Sequence, residues 1–200
     1  MVLIIVTHNK NKVNEIKAIL GGKFDKIVSA DEIGLTAQAE ETGTTFYQNA
    51  LIKASDLLSQ IKNNPEISKE IGDYAVLSDD SGICVNALFG APGVNSNRFF
   101  IKGDDKANRI HMLEVLKDNV NRKAHFESCV VLLYSDGKIT SQIGITEGEI
   151  LQEEKGSGGF GYDCIFYSYD INKSFGEATA QEKNAVSHRA RALNNLLKII

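Results

Sequence analysis

The stretch that decides the fold is Ala124–Ile150, AHFESCVVLLYSDGKITSQIGITEGEI, which has Asp136-Gly137 near its middle. The residues on both sides of this pair are rich in the aliphatic and β-branched types that favour strands. An Asp-Gly pair between two such runs is the sequence pattern of a tight antiparallel hairpin. We therefore expect two neighbouring strands here and look for the elements that complete the sheet.

The chain opens with a second strong pattern, VLIIV at Val2–Val6, followed by THNKNK. A short, continuous, mostly β-branched run predicts a buried strand. Apolar residues then recur at helical spacing up to a Gly21-Gly22 stop, at Val13, Ile16, Ile19 and Leu20. This is a strand–turn–helix unit, and FDKIVSA after it predicts another strand.

Two capping boxes predict the starts of two more helices. Thr45 and Gln48 precede a long amphipathic segment, and Thr179 and Glu182 precede a closing helix with apolar Val186, Ala190, Leu193 and Leu197. A further helix is predicted from Ala107, Ile110, Leu113 and Leu116.

The remaining segments complete the prediction of an α/β fold with mixed strand directions. DYAVLSDDSGICV predicts a strand that is interrupted by an acidic turn at Asp79–Gly82. GAPGVNSNR predicts a loop, because a proline stands between glycines. A strand, CIFYS, is predicted after the glycine cluster that begins at Gly156.

Length and composition narrow the class of protein. Two hundred residues suit one domain, with 42% hydrophobic residues, 24% charged residues and a net charge of −4. Mild acidity argues against a bulk nucleic-acid binder, and the apolar start is too short to span a membrane. Three widely spaced cysteines indicate a reducing compartment, so we expect a cytoplasmic protein.

The turn after the first strand is suited to phosphate. Unpaired N–H groups and the positive end of the helix dipole attract anions there. Thr7 and Asn9 can add hydrogen bonds, and Lys10 and Lys12 can add positive charge. A plain turn with solvated lysines explains this stretch, taken alone, equally well.

Two pairs of carboxylates stand at predicted turns, Glu40-Glu41 and Asp79-Asp80. Adjacent acids repel each other, and a divalent cation would neutralise them. Mg²⁺ prefers oxygen ligands, and Asp80 is followed by the hydroxyl of Ser81 and the flexible Gly82. Since Asp and Gly are also ordinary turn residues, a solvated turn is the alternative.

The glycine cluster GSGGFGYDCIF, Gly156–Phe166, suits a flat ligand. Phe160 could stack on a ring, and Asp163 could accept hydrogen bonds from a base or a sugar. We expect the freed amides of Gly158, Gly159 and Gly161 to approach the ligand, although a tight bend with Phe160 in the core is equally consistent. Downstream, Lys183, Ser187, His188 and Arg189 could supply donors to a ring carbonyl.

Six segments in order resemble the motif set of the inosine/xanthosine triphosphate pyrophosphatase family. They are THNKNKVNEI, EETGTTFYQNALIKA, SDDSG, GAPGVNSNR, GGFGYD and EKNAVSHRARAL. The resemblance covers nearly the whole chain. It implies an elongated α/β fold with two lobes around a long central mixed sheet, as a single domain over residues 1–200 that forms a homodimer. It also implies Mg²⁺-dependent hydrolysis of dITP, ITP or XTP to the nucleoside monophosphate and pyrophosphate.

The resemblance also implies roles for particular residues. Glu41 and Asp80 take the metal, and Asp80 activates the water. The residues it assigns to substrate binding are Thr7, His8, Asn9, Lys10, Asn11, Lys12, Lys53, Ser81, Phe160, Gly161, Tyr162, Asp163, Lys183, His188 and Arg189. The first six belong to the phosphate turn, and Lys53 and Ser81 assist them. The residues from Phe160 to Asp163 line the nucleoside pocket, and Lys183, His188 and Arg189 complete the recognition of the base and the phosphates.

Three positions depart from the family pattern: His8 stands where glycine is usual, Asn97 replaces alanine and Cys164 replaces proline. None of them removes a catalytic group. Three alternatives stay open from the sequence: a nucleotide-binding module without turnover, a pyrophosphatase for modified pyrimidine nucleotides, and an α/β domain of another role. Because Glu41 and Asp80 are both present, the sequence favours the hydrolase over the non-catalytic module.

Overall fold

The structure, a computed structural model, describes residues 1–7, 9–36 and 38–200, with the side chains of Lys10 and Asn11 outside the description. The strands are β1 Val2–Val6, β2 Lys26–Ser29, β3 Tyr74–Val85, β4 Lys123–Tyr134, β5 Ile139–Ile150, β6 Phe166–Ser168 and β7 Lys173–Ser174. The helices are α1 Lys10–Leu20, α2 Phe46–Lys62, α3 Pro65–Ile71, α4 Asp105–Val115, α5 Ala180–Val186 and α6 His188–Leu197.

The seven strands form one mixed sheet in the order β2-β1-β3-β4-β5-β6-β7. β1 pairs in parallel with β2 and with β3, so that Val2 stands opposite both Lys26 and Tyr74. β6 pairs antiparallel with β5 and with β7. β4 and β5 are joined by the turn at Asp136-Gly137, where Gly137 has φ +94°, which confirms the predicted hairpin. The predicted α/β class with a long mixed sheet is confirmed.

The chain divides into two compact units. Unit 1 comprises Met1–Asp80, Cys129–Ile143 and Ala192–Ile200, and unit 2 comprises Ser81–Ser128 and Gly144–Arg191. The strands β3, β4 and β5 and the helix α6 contribute residues to both units.

Each unit has its own hydrophobic core. In unit 1, the apolar face of α1 packs on strand residues such as Leu3, Ile5 and Leu77, which are at most 1% exposed. In unit 2, Phe126, Phe166 and Phe175 form a ring cluster with centroids 4.7–6.1 Å apart. Burial of such side chains contributes about 1.5–3 kcal/mol each, so each core can hold polar groups in fixed positions.

Two expectations from the sequence are wrong. β3 runs without interruption through Asp79–Gly82 rather than breaking there. The closing helix is two helices, because Ser187 adopts an extended backbone with ψ 150° between α5 and α6.

The helix predicted from Ala107, Ile110, Leu113 and Leu116 is confirmed as α4. Leu116 is buried and Leu113 packs against the core of unit 2, whereas Ile110 is 54% exposed.

The two predicted capping boxes mark true helix starts. The Thr45 hydroxyl accepts a hydrogen bond from the Gln48 N–H, and α2 begins at the next residue. At α5 the box is complete, since Thr179 accepts from the Glu182 N–H and the Glu182 carboxylate accepts from the Thr179 N–H. This cap orders a helix of only seven residues that carries Lys183.

Candidate functional site

Lys53 joins two carboxylates in unit 1. Its Nζ lies 2.9 Å from Glu41 Oε1 and 3.2 Å from Asp80 Oδ1. Lys53 comes from α2, Asp80 from β3, and Glu41 from the loop before α2. The side chains of Lys53 and Asp80 are 15% and 11% exposed, so water screens their interaction little, while Glu41 is 31% exposed. Two acids from distant parts of the chain thus meet at one cation.

Asn49 holds this arrangement in place. Its Nδ2 donates to Asp80 Oδ2 over 3.1 Å, and its Oδ1 accepts from the Gly43 N–H over 2.8 Å. Asn49 is fully buried and lies one helical turn before Lys53, so both side chains of α2 reach Asp80. A Cβ at Gly43 would lie 2.6 Å from Asn49 Oδ1, which explains the glycine in ETGTTF. The Asn49 amide therefore ties the loop that carries Glu41 to Asp80, in addition to the Lys53 ammonium.

Burial and the neighbouring charges together shift the pKa values of Asp80 and Lys53. Burial raises the pKa of Asp80, and the neighbouring Glu41 raises it further, while the Lys53 charge and the Asn49 hydrogen bond act in the opposite direction. Burial alone would lower the pKa of Lys53, but the charges of Asp80, Asp79 and Glu41 outweigh it and raise that pKa. Lys53 therefore stays protonated, and Asp80 is a stronger base than an exposed aspartate.

The turn after β1 contributes a second lysine. Lys12 Nζ lies 2.9 Å from Asp79 Oδ2, and the Asp79 side chain is only 1% exposed. The Thr7 hydroxyl accepts from the Asn9 N–H, which fixes the start of the turn at α1. The predicted roles of His8 and of the Lys10 and Asn11 side chains lie outside the described residues. The structure thus brings Lys12, Lys53, Asp79 and Asp80 into unit 1 as two linked ion pairs.

The donor set of this cluster suits a hard cation such as Mg²⁺. Asp80 and Glu41 offer carboxylate oxygens, which are the ligands that Mg²⁺ prefers, and both already meet at one positive charge. Among the described residues, no group of three His, Cys, Asp or Glu side chains forms a protein-only metal cage. Two carboxylates without a full cage match a metal that takes its other ligands from water and phosphate.

The glycines before β6 serve the packing of their own loop. A Cβ at Gly156 would lie 2.2 Å from the Gly176 carbonyl oxygen, and one at Gly159 would lie 2.0 Å from Asp163 Oδ2. The Gly158 N–H donates to Gly176 O and the Gly161 N–H donates to Asp105 Oδ2. The expectation that these two amides face a ligand is therefore wrong, because both are donated within unit 2.

Phe160, Lys183 and Asp163 form one group in unit 2. Lys183 Nζ lies 4.4 Å from the Phe160 ring centroid and 2.5 Å from Asp163 Oδ2. The same Asp163 oxygen accepts from the Phe160 N–H over 2.8 Å. Asp163 is 2% exposed, so it acts by fixing both the aromatic ring and the ammonium. A cation over an aromatic face at this distance is stabilised by the ring quadrupole.

The closing segment adds a buried guanidinium. Arg189 is 1% exposed, its Nη2 donates to the Ser81 hydroxyl over 3.1 Å, and its Cζ lies 6.0 Å from the Phe160 ring centroid. His188 is 5% exposed and stacks on Phe126 with the ring planes 12° apart. The Tyr162 ring lies in the core of unit 2 and its hydroxyl donates to Ser96 O, so this tyrosine supports the loop from inside.

Comparison with known proteins places the chain in a family. A sequence profile of the Ham1 family matches residues 3–199. The chain belongs to the Ham1 family. The dITP/XTP pyrophosphatase of Campylobacter jejuni (strain 81116) is 40% identical over 202 residues, covering all of this chain and 96% of that protein. The dITP/XTP pyrophosphatase of Clostridium tetani is 42% identical over 195 residues, covering 97% and 93%.

Solved structures of Ham1 proteins share the fold. A HAM1 protein from Coxiella burnetii has a TM-score of 0.86 at 33% identity, covering all of this chain and 98% of that one. The nucleoside-triphosphatase / dITP/XTP pyrophosphatase from Mycobacterium abscessus has a TM-score of 0.75 at 35% identity, with full coverage of both chains. The resemblance seen in the six sequence segments is thereby confirmed at the level of the family.

Several residues of these clusters were not identified from the sequence. Asn49 had a usable signal, since it lies four residues before Lys53 and both therefore fall on one face of α2. Asp105 and Arg109 contact Gly161 at the end of residues 155–161, the Phe160 loop, and Arg109 also contacts Glu154 just before it. These residues have no such signal, because the partners are 45 to 56 residues apart in the chain.

Among the described residues, no helix has the length and hydropathy that crossing a bilayer requires.

Proposed function

We propose that this Ham1 protein hydrolyses the non-canonical purine nucleoside triphosphates dITP, ITP and XTP. The products are the nucleoside monophosphate and pyrophosphate, so the reaction removes these nucleotides from the pool. The observation that carries the proposal is the pair of carboxylates on Lys53, in which Asp80 is buried and its pKa is raised. Curated relatives of 40–42% identity carry the name dITP/XTP pyrophosphatase.

Asp80 and Glu41 would hold Mg²⁺, which matches their oxygen donors. When bound, such an ion neutralises phosphate charge and polarises the phosphoryl oxygens. With the metal present, the two acids would share that ion as well as Lys53, and the Lys53 ammonium would be available to a phosphate oxygen.

The chain's own groups supply the proton transfer and the charge. The Asp80 carboxylate takes a proton from water, and burial makes it a better base for that step. The water oxygen then bonds to the α-phosphorus, the bond from the α-phosphorus to the oxygen that bridges it to the β-phosphorus breaks, and its electron pair leaves with pyrophosphate. Lys12 and Lys53 stabilise the negative charge that develops on the leaving group.

The groups of unit 2 would recognise the base. The Phe160 ring would stack on the purine, and the Lys183 ammonium and Arg189 guanidinium are donors that suit the 6-carbonyl of inosine and xanthine. Adenine carries an amino group at that position, so a buried donor would face another donor, and binding would weaken by several kcal/mol. Guanine shares the 6-carbonyl, so discrimination against GTP must act at the 2-position of the purine.

The family resemblance further supports a single catalytic domain over residues 1–200 that works as a homodimer. The three cysteines, Cys84, Cys129 and Cys164, are buried and form no disulfide among the described residues, which fits a reducing compartment such as the cytoplasm. Light scattering after gel filtration measures the mass of the assembly. A mass of about 44 kDa, twice the 21.9 kDa of the chain, is the expected result.

Pyrophosphate release from ITP, XTP, dITP, ATP and GTP, each with and without Mg²⁺, tests the proposed function. Metal-dependent release that favours ITP, XTP and dITP is the expected result. Orthophosphate as the product would contradict the proposed bond. Tight nucleotide binding without turnover would identify the non-catalytic module, and turnover of modified pyrimidine triphosphates alone would identify the other class of pyrophosphatase.

A further inference from the structure

The first two turns of α4 contact the Phe160 loop through two residues that are one helical turn apart, Asp105 and Arg109. Asp105 Oδ2 accepts a hydrogen bond of 2.8 Å from the Gly161 N–H. Arg109 Nη1 donates a hydrogen bond of 2.9 Å to the Gly161 carbonyl. Positions i and i+4 lie on the same helix face, so one face of α4 binds both backbone groups of the residue that follows Phe160.

Arg109 also reaches the other arm of the same loop. Its Nε donates to Glu154 Oε1 over 2.7 Å, while its Nη1 holds Gly161. The residues between these two contacts, 155–160, include Phe160 and the exposed Lys155. The planar fork of a guanidinium can bond two acceptors at once, which a lysine ammonium cannot do with the same fixed geometry.

Electrostatics support this contact. The Glu154 hydrogen bond and nearby negative charges raise the pKa of Arg109 against the opposing effect of burial, and the Arg109 bond lowers the pKa of Glu154. The Arg109 side chain is 17% exposed. The ion pair therefore persists through the neutral pH range.

The backbone conformation of Gly161 explains why a glycine stands at this position, and side chains hold the backbone on both sides of Phe160. Gly161 has φ +59°, a left-handed backbone, and a Cβ built there would meet nothing within 4 Å. The glycine is thus required by its backbone conformation and not by crowding. On the other side of the ring, the Phe160 N–H is held by Asp163. The peptide groups on both sides of Phe160 are fixed by side chains.

We propose that Asp105 and Arg109 are positioning residues for nucleotide binding, which set the orientation of the Phe160 ring through Gly161. This inference rests on the proposed function for its substrate but on the contacts above for its geometry. The two residues act on the loop and not on the phosphates. Their loss therefore weakens binding of the base and leaves the chemical step intact.

The test compares Arg109→Gln and Asp105→Ala with a matched control, Asp104→Ala. Asp104 is the N-cap of α4, and its side chain accepts from the Ala107 N–H. Its loss weakens the same helix without removing a contact to Gly161. Asp105→Asn keeps an acceptor oxygen and serves as the conservative variant.

We expect the KM for ITP to rise about tenfold in Arg109→Gln and in Asp105→Ala. This change is in the range seen when a base loses an aromatic stacking partner. The value of kcat should stay within about twofold of wild type. Asp104→Ala and Asp105→Asn should keep the wild-type KM, although Asp104→Ala lowers the melting temperature. An equal KM rise in Asp104→Ala would overturn the proposal, because it would mean that helix stability alone matters. A loss confined to kcat would also overturn it.

Limited trypsin digestion gives a readout that needs no turnover. Lys155 lies inside the loop, so cleavage between Lys155 and Gly156, identified by mass spectrometry, reports its opening. We expect cleavage there at least about fivefold faster in Arg109→Gln than in Asp104→Ala, because only the former frees the loop. If wild type releases no pyrophosphate, the proposed function fails, and this digestion still decides whether α4 holds the loop. Equal cleavage rates would overturn the proposal.

Discussion

The Lys183 ammonium lies 4.4 Å from the centroid of the Phe160 ring. One face of this half-buried ring therefore carries a cation, and Asp163 holds both partners. A base that stacks on Phe160 would meet a ring whose position is already determined by an ion pair. The ring and the ammonium, which are proposed to bind the base and its 6-carbonyl, are thus held together by Asp163.

Phe160→Ala removes the ring and should mainly weaken substrate binding. Stacking of a base on an aromatic side chain contributes about 1–3 kcal/mol, so we expect the KM for ITP to rise by about one to two orders of magnitude. The value of kcat should change little, since Phe160 is not among the groups proposed to act on the phosphates. Steady-state kinetics of Phe160→Ala beside Phe160→Tyr measure this. A fall in kcat at constant KM would argue against stacking.

Asp80→Asn should abolish turnover, because it removes the proposed base and a metal ligand together. Its effect on stability follows from the sign of the pKa shift. The pKa of Asp80 is raised by folding, so its ionised form destabilises the folded state at neutral pH, and this cost disappears below about pH 4, where the group is protonated in both states.

We therefore expect Asp80→Asn to melt at or above the wild-type temperature at pH 7, with the difference shrinking toward pH 4. Melting curves measured between pH 4 and pH 8 give this comparison. A variant that melts well below wild type at pH 7 would contradict the assigned direction, and near-normal pyrophosphate release would contradict the catalytic role.

The sequence predicted the local strands and helices, but it could not predict the raised pKa of Asp80 or the ion pairs around it. Val2–Val6 and the Asp136-Gly137 hairpin carry strong local patterns, and both were predicted correctly. Asp79–Gly82 has the composition of a turn, yet β3 continues through it, because tertiary packing outweighs weak local preference. The pairing of Lys53 with Glu41 and Asp80 joins residues 12 to 39 positions apart in the chain. Spacing alone therefore specified no partner, and only the family resemblance linked these residues.

Asn49→Ala should affect both stability and turnover. The change leaves the Gly43 N–H and Asp80 Oδ2 without their partner, and each such loss costs about 1–3 kcal/mol when buried. We expect a melting temperature lower by several degrees and a fall in kcat, since Asp80 is less well positioned. Gln48→Ala is the matched control, because Gln48 holds the exposed Thr44 N–H of the same loop and does not contact Asp80. Equal loss of turnover in both variants would show that the loop matters and the Asp80 contact does not.

The three thiols should be inert in the folded protein. Cys84, Cys129 and Cys164 are buried, and burial raises the pKa of Cys84 to about 11, so that only about one thiol in a thousand is ionised there at pH 8. Titration with Ellman's reagent should therefore detect all three thiols together, upon unfolding in guanidinium. Rapid reaction of one thiol with the native protein would contradict the burial of that cysteine.

The N-terminal cap of α5 restricts which substitutions position 179 can accept during evolution. A helix of seven residues is too short to be stable alone, so the position of Lys183 depends on the Thr179 hydroxyl and on Glu182, which itself pairs with Lys173. Neither Thr179 nor Glu182 is among the groups assigned to the nucleotide. Natural selection for substrate affinity should nevertheless act on position 179, where serine, aspartate and asparagine are the replacements that retain the cap.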